Sequence, residues 1–200
     1  MEDNIYYHIH KIDEGINEAK WVEGTIFNIG DDYNYFYKQS VQFEPKYSIF
    51  ENKNNVPWTN VYDYLLKSGQ LNYINACKLL EFANIIISEY QMLLRENTYE
   101  EIRTKNFSYL PSRTRCIWLC KEKQLEFWKK QLCGKKYKIF KVKVFGETFK
   151  SNNNMIVAPS TSYNKTKEMA QKYWNYKSNE EKENDEYLYI GKIEVIKEIL

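Results

Sequence analysis

The chain has 200 residues, is 43% hydrophobic and 16% aromatic, and sets 29 Lys and Arg against 27 Asp and Glu. That length and apolar share suffice for one domain with a single core, and the near-balance of charge excludes the broad positive field with which a nucleic-acid-coating protein holds a polyanion without sequence preference. Four cysteines (Cys77, Cys116, Cys120, Cys133) are too few and too irregularly spaced for a disulfide framework or a zinc site.

The opening MEDN lacks the basic start of a signal peptide, and no apolar run approaches the ~18 residues of a membrane span. The expectation is a cytoplasmic protein with no metal and no membrane partner.

In chain order, IYYHIH (Ile5 to His10) is β-branched or aromatic and leads into KIDEG, which predicts a first strand and a turn. His8 and His10, the chain's two histidines, then share one strand face. Trp21 to Gly24, the Gly30-Asp31-Asp32 stretch and YNYFYK have no clear helical period and read as irregular chain or a short strand. From PWTNVYDYLLKSG onward apolar residues recur at three and four positions, among them Leu79, Leu80, Ile86, Ile87 and Leu93, which predicts a helix of about five turns from about Asn72 to Arg95.

CIWLC (Cys116 to Cys120), after a Pro-Ser turn, reads as a short strand, and KEKQLEFWKKQLCG as a helix stopped by Gly134. KYKIFKVKVF alternates apolar residues with Lys, as a half-buried strand does. SNNN reads as a turn, MIVAPSTSY as a short strand and loop, KTKEMAQKYWNYK as a helix, SNEEKENDE as an exposed loop, and EYLYIGKIEVIKEIL as one or two closing strands. The mixture predicts an α+β domain spanning residues 1–200, with a helical insertion at about residues 60–97. No phosphate-binding glycine loop, hydrolase elbow or zinc-protease motif is present.

Four places put polar residues beside predicted strands: His8 and His10, PSRTR (Pro111 to Arg115), PSTSY (Pro159 to Tyr163), and Glu186. Each has an ordinary reading. A strand histidine is usually a satisfied residue, Arg113 and Arg115 can pair with surface acids, Ser160 and Ser162 can cap the following helix, and Glu186 ends an acidic run of the kind that is usually solvated.

Taken in order, YYHIH, LPSRTRCIWL, Ala-x-x-Tyr-Trp (Ala170 to Trp174) and EYLYIG resemble the ADP-ribosyltransferase superfamily, and both ends are similar to the DarT-type nucleic-acid ADP-ribosyltransferases. The resemblance implies a split β-sheet core with flanking helices that cleaves NAD as its substrate. It gives His8, with His10 in reserve, the adenosine ribose. It leaves the middle position open among Trp118, Ser112 and Ser160, and makes Glu186 the catalytic acid. Asn184 gives Asn-x-Glu where the arginine-modifying branch has Glu-x-Glu or Gln-x-Glu, a departure from that branch.

The chemistry suits a lone carboxylate, because leaving nicotinamide generates an oxocarbenium-like cation that a fixed negative charge stabilises. Arg113 or Arg115 suits a pyrophosphate through its planar fork. The implied partners are NAD and a macromolecular acceptor, nucleic acid or protein, and the implied setting is a toxin or phage-defence effector. Two other expectations stand beside this one: a non-catalytic module holding a nucleotide, RNA or protein through the aromatic cleft and Lys135, Lys136, Lys138, Lys141 and Lys143, and a small endoribonuclease using His8 and His10 as acid and base.

Overall fold

Alternating bulky residues at the N-terminus form strand β1 (Ile5–Lys11), which pairs antiparallel with β6 (Tyr137–Val144), Tyr6 opposite Val142 and His8 opposite Phe140. In this computed structural model, which describes residues 4–12, 21–48, 55–131 and 136–200, two further strands complete the first sheet, β2 (Ile26–Ile29) and β9 (Gly191–Glu198), in the order β1-β6-β9-β2. Asp13 to Gly15 of the KIDEG turn, and Cys133, Gly134 and Lys135, lie outside the described residues.

A second antiparallel sheet has the order β5-β8-β7, with β5 at Ile117–Leu119, β7 at Phe149–Asn152 and β8 at Asp185–Tyr189. The two sheets share a core. Tyr6, Phe140, Val142, Val144, Ile193 and Val195 of the first meet Ile117, Leu119, Tyr187 and Tyr189 of the second. One backbone bridge, Tyr7 with Cys120, also joins them, each amide donating to the other's carbonyl at 2.9 Å.

All five residues of β8 are buried, because each face has its own cover. Tyr187 and Tyr189 face the inter-sheet core, while Leu188 packs among Tyr99, Cys116, Ala170, Tyr173 and Trp174. The helical members of that group come from α3 (Tyr73–Asn106) and α5 (Tyr163–Trp174). The Trp174 indole donates to the Tyr99 carbonyl at 2.8 Å and locks the two helices together. A small hairpin of β3 (Lys46–Ser48) and β4 (Asn55–Pro57) precedes α2 (Trp58–Lys67), and α4 (Leu125–Gln131) follows a 3-10 turn after β5. The architecture is α+β. No helix of the described residues is long and apolar enough to cross a membrane.

Several expectations are corrected. YNYFYK is not irregular: Tyr35–Gln42 form α1, begun by Asn34, whose side chain accepts from the Tyr37 amide at 3.0 Å. The stretch before it contains β2, a short strand, which is one of the two readings expected there. The long helix does not stop near Arg95 but runs on to Asn106, and its last turns pack on α5. Ser151 and Asn152 of SNNN belong to β7, and MIVAPSTSY holds a 3-10 turn and a loop but no strand. The end of SNEEKENDE is buried, since Asn152 donates to the side chains of Asn184 and Asp185 at 2.9 and 2.6 Å.

Gly191 turns the chain from β8 into β9 with φ of 134°, a region that side chains rarely enter. A Cβ there would stand 2.7 Å from the Tyr189 hydroxyl, which is held by the Lys192 carbonyl and the Phe145 amide. Gly191→Ala is therefore expected to cost about 2–3 kcal/mol from strain and displacement of a buried ring. Urea denaturation of the two proteins measures it.

Candidate active site

The PSRTR turn is held by its neighbours before it contributes a side chain. Glu100 of α3 accepts from the Arg113 amide at 2.7 Å and from the Ser112 hydroxyl at 2.9 Å, and Asn34 donates to the Arg113 carbonyl at 2.6 Å. Arg103, one turn along α3, steadies Glu100 at 2.9 Å. Thus fixed, the turn sends Arg113 into the protein interior, where it is 5% exposed.

There the guanidinium meets two carboxylates. Nε donates to Glu96 at 3.0 Å, and Nη1 donates to Glu186 Oε1 at 2.8 Å and to the Tyr173 hydroxyl at 2.6 Å. Tyr173 in turn donates to the same Glu186 oxygen. Arg95 adds a second cation to Glu96 at 3.0 Å. The guanidinium also lies over the rings of Tyr173, Tyr99 and Trp118, at 4.9, 5.7 and 5.7 Å.

Two arginines against two glutamates make the cluster neutral, which is what its burial demands. Burial disfavours the charge of Arg113, but Glu96, Tyr173 and Glu186 outweigh it and hold the guanidinium above its ordinary range. Burial likewise pushes the Glu96 carboxyl up, yet Arg113 and Arg95 hold it below the usual carboxylate range. Burial, reinforced by Glu186, keeps the Tyr173 phenol well above its ordinary value, so that ring serves the carboxylate only as a donor.

A second cluster lies on β1. His8 stacks on Trp21 with ring centres 4.7 Å apart, His10 tilts against the same indole at 5.0 Å, and Phe140 closes the group. His8 Nδ1 lies 3.0 Å from the Trp118 carbonyl. A carbonyl only accepts, so Nδ1 carries the proton. Burial pushes the ring's pKa down to about 3 against the opposing pull of that bond, so the imidazole is neutral and its Nε2 is an acceptor.

The two clusters sit on β1 and β8, with the end of β5 between them. Tyr7 bridges Cys120, and the β5-β8 register of Trp118 with Leu188 and Leu119 with Tyr187, continued by one, sets Cys120 across from Glu186. Two strand spacings of about 4.8 Å separate β1 from β8. Trp118 touches both groups, giving its carbonyl to His8 and its ring to Arg113. Strand alternation turns the two side chains differently: His8 points with Tyr6 toward the inter-sheet side, and Glu186 with Leu188 toward the helices.

The structure thus gathers Arg113, Trp118 and Glu186, with Ser112 in the turn held by Glu100, and places His8 and His10 on the other face, two strands away. Arg115 lies apart. It donates to the carbonyls of Gly30 and Asp31 at 3.4 and 3.2 Å and covers the Tyr33 ring. Ser160 is exposed in the loop before α5, whose cap is Ser162. Among the β6 lysines, Lys138 pairs with Glu198, and Lys141 lines a recess of about 350 Å³ with Ile5, Tyr7, Lys121, Lys123, Glu122 and Glu181. No sequence-predicted enzyme-site residue lines that recess. Its shape alone does not outweigh the chemistry around Glu186. Among the described residues, no group of three His, Cys, Asp or Glu could hold a metal ion.

Glu96, Glu100 and Trp21 were not singled out from sequence. Glu96 and Glu100 stand one helical turn apart, followed by Arg103, and that spacing of charges was the available signal.

No curated protein matches the chain. A family model described as Protein of unknown function (DUF2441) matches residues 6–200, and with nearly the whole chain covered, the protein belongs to that family.

Proposed function

We propose that the protein is an NAD-dependent mono-ADP-ribosyltransferase, or an NAD glycohydrolase built on the same kind of core. The carrying observation is the state of Glu186: Arg113 and Tyr173 both donate to Oε1, and neither touches Oε2. A carboxylate fixed through one oxygen can accept a ribose hydroxyl on the other. It then stabilises the cation that grows as the bond from nicotinamide to ribose breaks.

The two packed antiparallel sheets, with a histidine on the first strand and Glu186 near the start of β8, support the same reading. In it nicotinamide leaves with the bonding electron pair, and an acceptor nucleophile or water bonds to the ribose carbon and loses its proton. Neutral His8 offers Nε2 to the adenosine ribose. The endoribonuclease reading fares worse, because a ring whose pKa is about 3 holds no proton to donate near neutrality.

Closure of the network favours a second reading. Glu186 is 5% exposed, as expected of an ionic anchor in a non-catalytic nucleotide-binding module of the same fold. Nicotinamide release from NAD, wild type against Glu186→Gln, separates the two. Glutamine keeps an oxygen for Arg113 and Tyr173, so the fold is expected to persist while the rate falls by about a hundredfold or more. Equal rates, or calorimetry without NAD binding, overturn the transferase. NAD binding without turnover gives the module.

A further inference from the structure

Helix α3 carries two apolar stripes, and among the described residues one is packed inward while the other is largely exposed. Leu79, Phe82, Ile86 and Leu93 face inward and are buried or half-buried. Tyr73, Leu80, Ile87 and Leu94 recur every seven residues along the adjoining side and are 84, 66, 52 and 55% exposed. Tyr90, 49% exposed, lies three residues after Ile87 on the flank of the same stripe with one edge of its ring against Phe43, and Ala76 and Ala83 fill the intervening seam positions. Monomeric proteins seldom present so long a run of large apolar side chains to water. The seven-residue spacing is the one that keeps a seam facing another helix.

We propose that this stripe is the interface with a second copy of the chain, paired antiparallel about a two-fold axis between Leu80 and Ile87. The proposal is independent of the enzymatic reading. Three features of the stripe select a second copy as its occupant. The first is symmetry. A two-fold interface must match itself, and the register that sets Leu80 against Ile87 also sets Tyr73 against Leu94, with Ala83 near the axis where the backbones approach most closely. The second is charge. The seam positions from Tyr73 to Leu94 are Tyr, Ala, Leu, Ala, Ile, Tyr and Leu, with no ionic group to select a charged partner.

The third is area. The exposed fractions of the five large side chains amount to about three full side chains, on the order of 600 Å² per copy and 1,200 Å² for the pair, the lower edge of specific stable interfaces. Ile74 and Ile85 lie on the other side of the helix, outside the stripe.

Sedimentation of the full chain at about 50 μM is expected to give twice the chain mass, and Leu80→Glu with Ile87→Glu the single mass with unchanged circular dichroism and a melting temperature that no longer depends on protein concentration. Under oxidising conditions Tyr73→Cys is expected to form no intermolecular disulfide at its own position, because the two copies of residue 73 stand about 30 Å apart in the antiparallel pair. A monomeric wild type overturns the proposal, including one whose stripe is covered by a different protein, and so does a double variant that keeps the dimer mass. A disulfide that forms readily in Tyr73→Cys between the two copies of position 73 overturns the antiparallel pairing.

Discussion

Arg113→Met is expected to cost about 3–5 kcal/mol, because it leaves the buried Glu186 carboxylate without a cation and takes one of two from Glu96. Methionine restores much of the volume but none of the donors. Glu96 keeps Arg95, while Glu186 keeps only the Tyr173 hydroxyl. For a chain of this length each kcal/mol moves the melting temperature by about 2–4 °C, so a drop of roughly 10 °C is expected by calorimetry.

Two controls make the prediction specific to charge. Adding Glu186→Gln to Arg113→Met is expected to recover about 1–3 kcal/mol, since the stranded charge is then gone, and the double-mutant cycle measures that coupling. Acid is also expected to narrow the gap. In the wild type Glu96 has its carboxyl held below the ordinary 4.5, so its contribution is present above that pH and lost as pH falls through the folded value. In the variant Glu96 has lost the Arg113 charge that held its carboxyl down, so it is easier to protonate and the same acid relieves it. A deficit that stays constant from pH 7 to pH 4 would assign the role of Arg113 to packing.

The same cluster explains which parts of the molecule were legible in the sequence. Where apolar residues carry an element, spacing exposed it: β1, β6, α5 and the first half of α3 lie close to where alternation or a three-four repeat put them. The stretch of α3 from Glu96 to Asn106 was lost because its inward positions are Glu96, Tyr99, Glu100 and Arg103, buried or half-buried polar groups that interrupt the apolar repeat while continuing the helix. The helix there is sustained by the local pair of Arg103 with Glu100 and by two contacts distant in sequence, Arg113 on Glu96 and Trp174 on Tyr99, which no local pattern contains. The helix α1 was missed because aromatic residues are indifferent helix formers. Its Asn34 cap was the only local signal.

Among the candidate residues, Glu186 was chosen by resemblance, and it is buried, against the ordinary expectation that the end of an acidic run is solvated. Its burial depends on Arg113, 73 positions earlier in the chain. Arg113 and Arg115 were indistinguishable as letters. The backbone clamp by Glu100 and Asn34 sends the first inward, while the second reaches the carbonyls of Gly30 and Asp31. That difference belongs to tertiary structure.

His8 carries the second large prediction, because its ring makes stability depend on pH in a window few other groups share. Its pKa is lowered from 6.5 to about 3, chiefly by burial, so below pH 6.5 the unfolded chain takes up a proton that the folded one refuses. The sign follows. The stability attached to this neutral ring is complete above pH 6.5 and declines steadily as pH falls toward 3.

Between pH 7 and pH 4.5 the full linkage is about 2.7 kcal/mol, and about 2 is expected, since His8 is half-buried and keeps some contact with solvent. His8→Gln keeps an amide donor for the Trp118 carbonyl but does not titrate. Urea denaturation at the two pH values is therefore expected to give the wild type a loss about 2 kcal/mol greater than that of the variant, whatever the remaining groups contribute to both. Equal losses would place the ring's titration near its ordinary value. They would also remove the argument that Nε2 is a permanent acceptor, on which the proposed grip of His8 on a ribose hydroxyl depends.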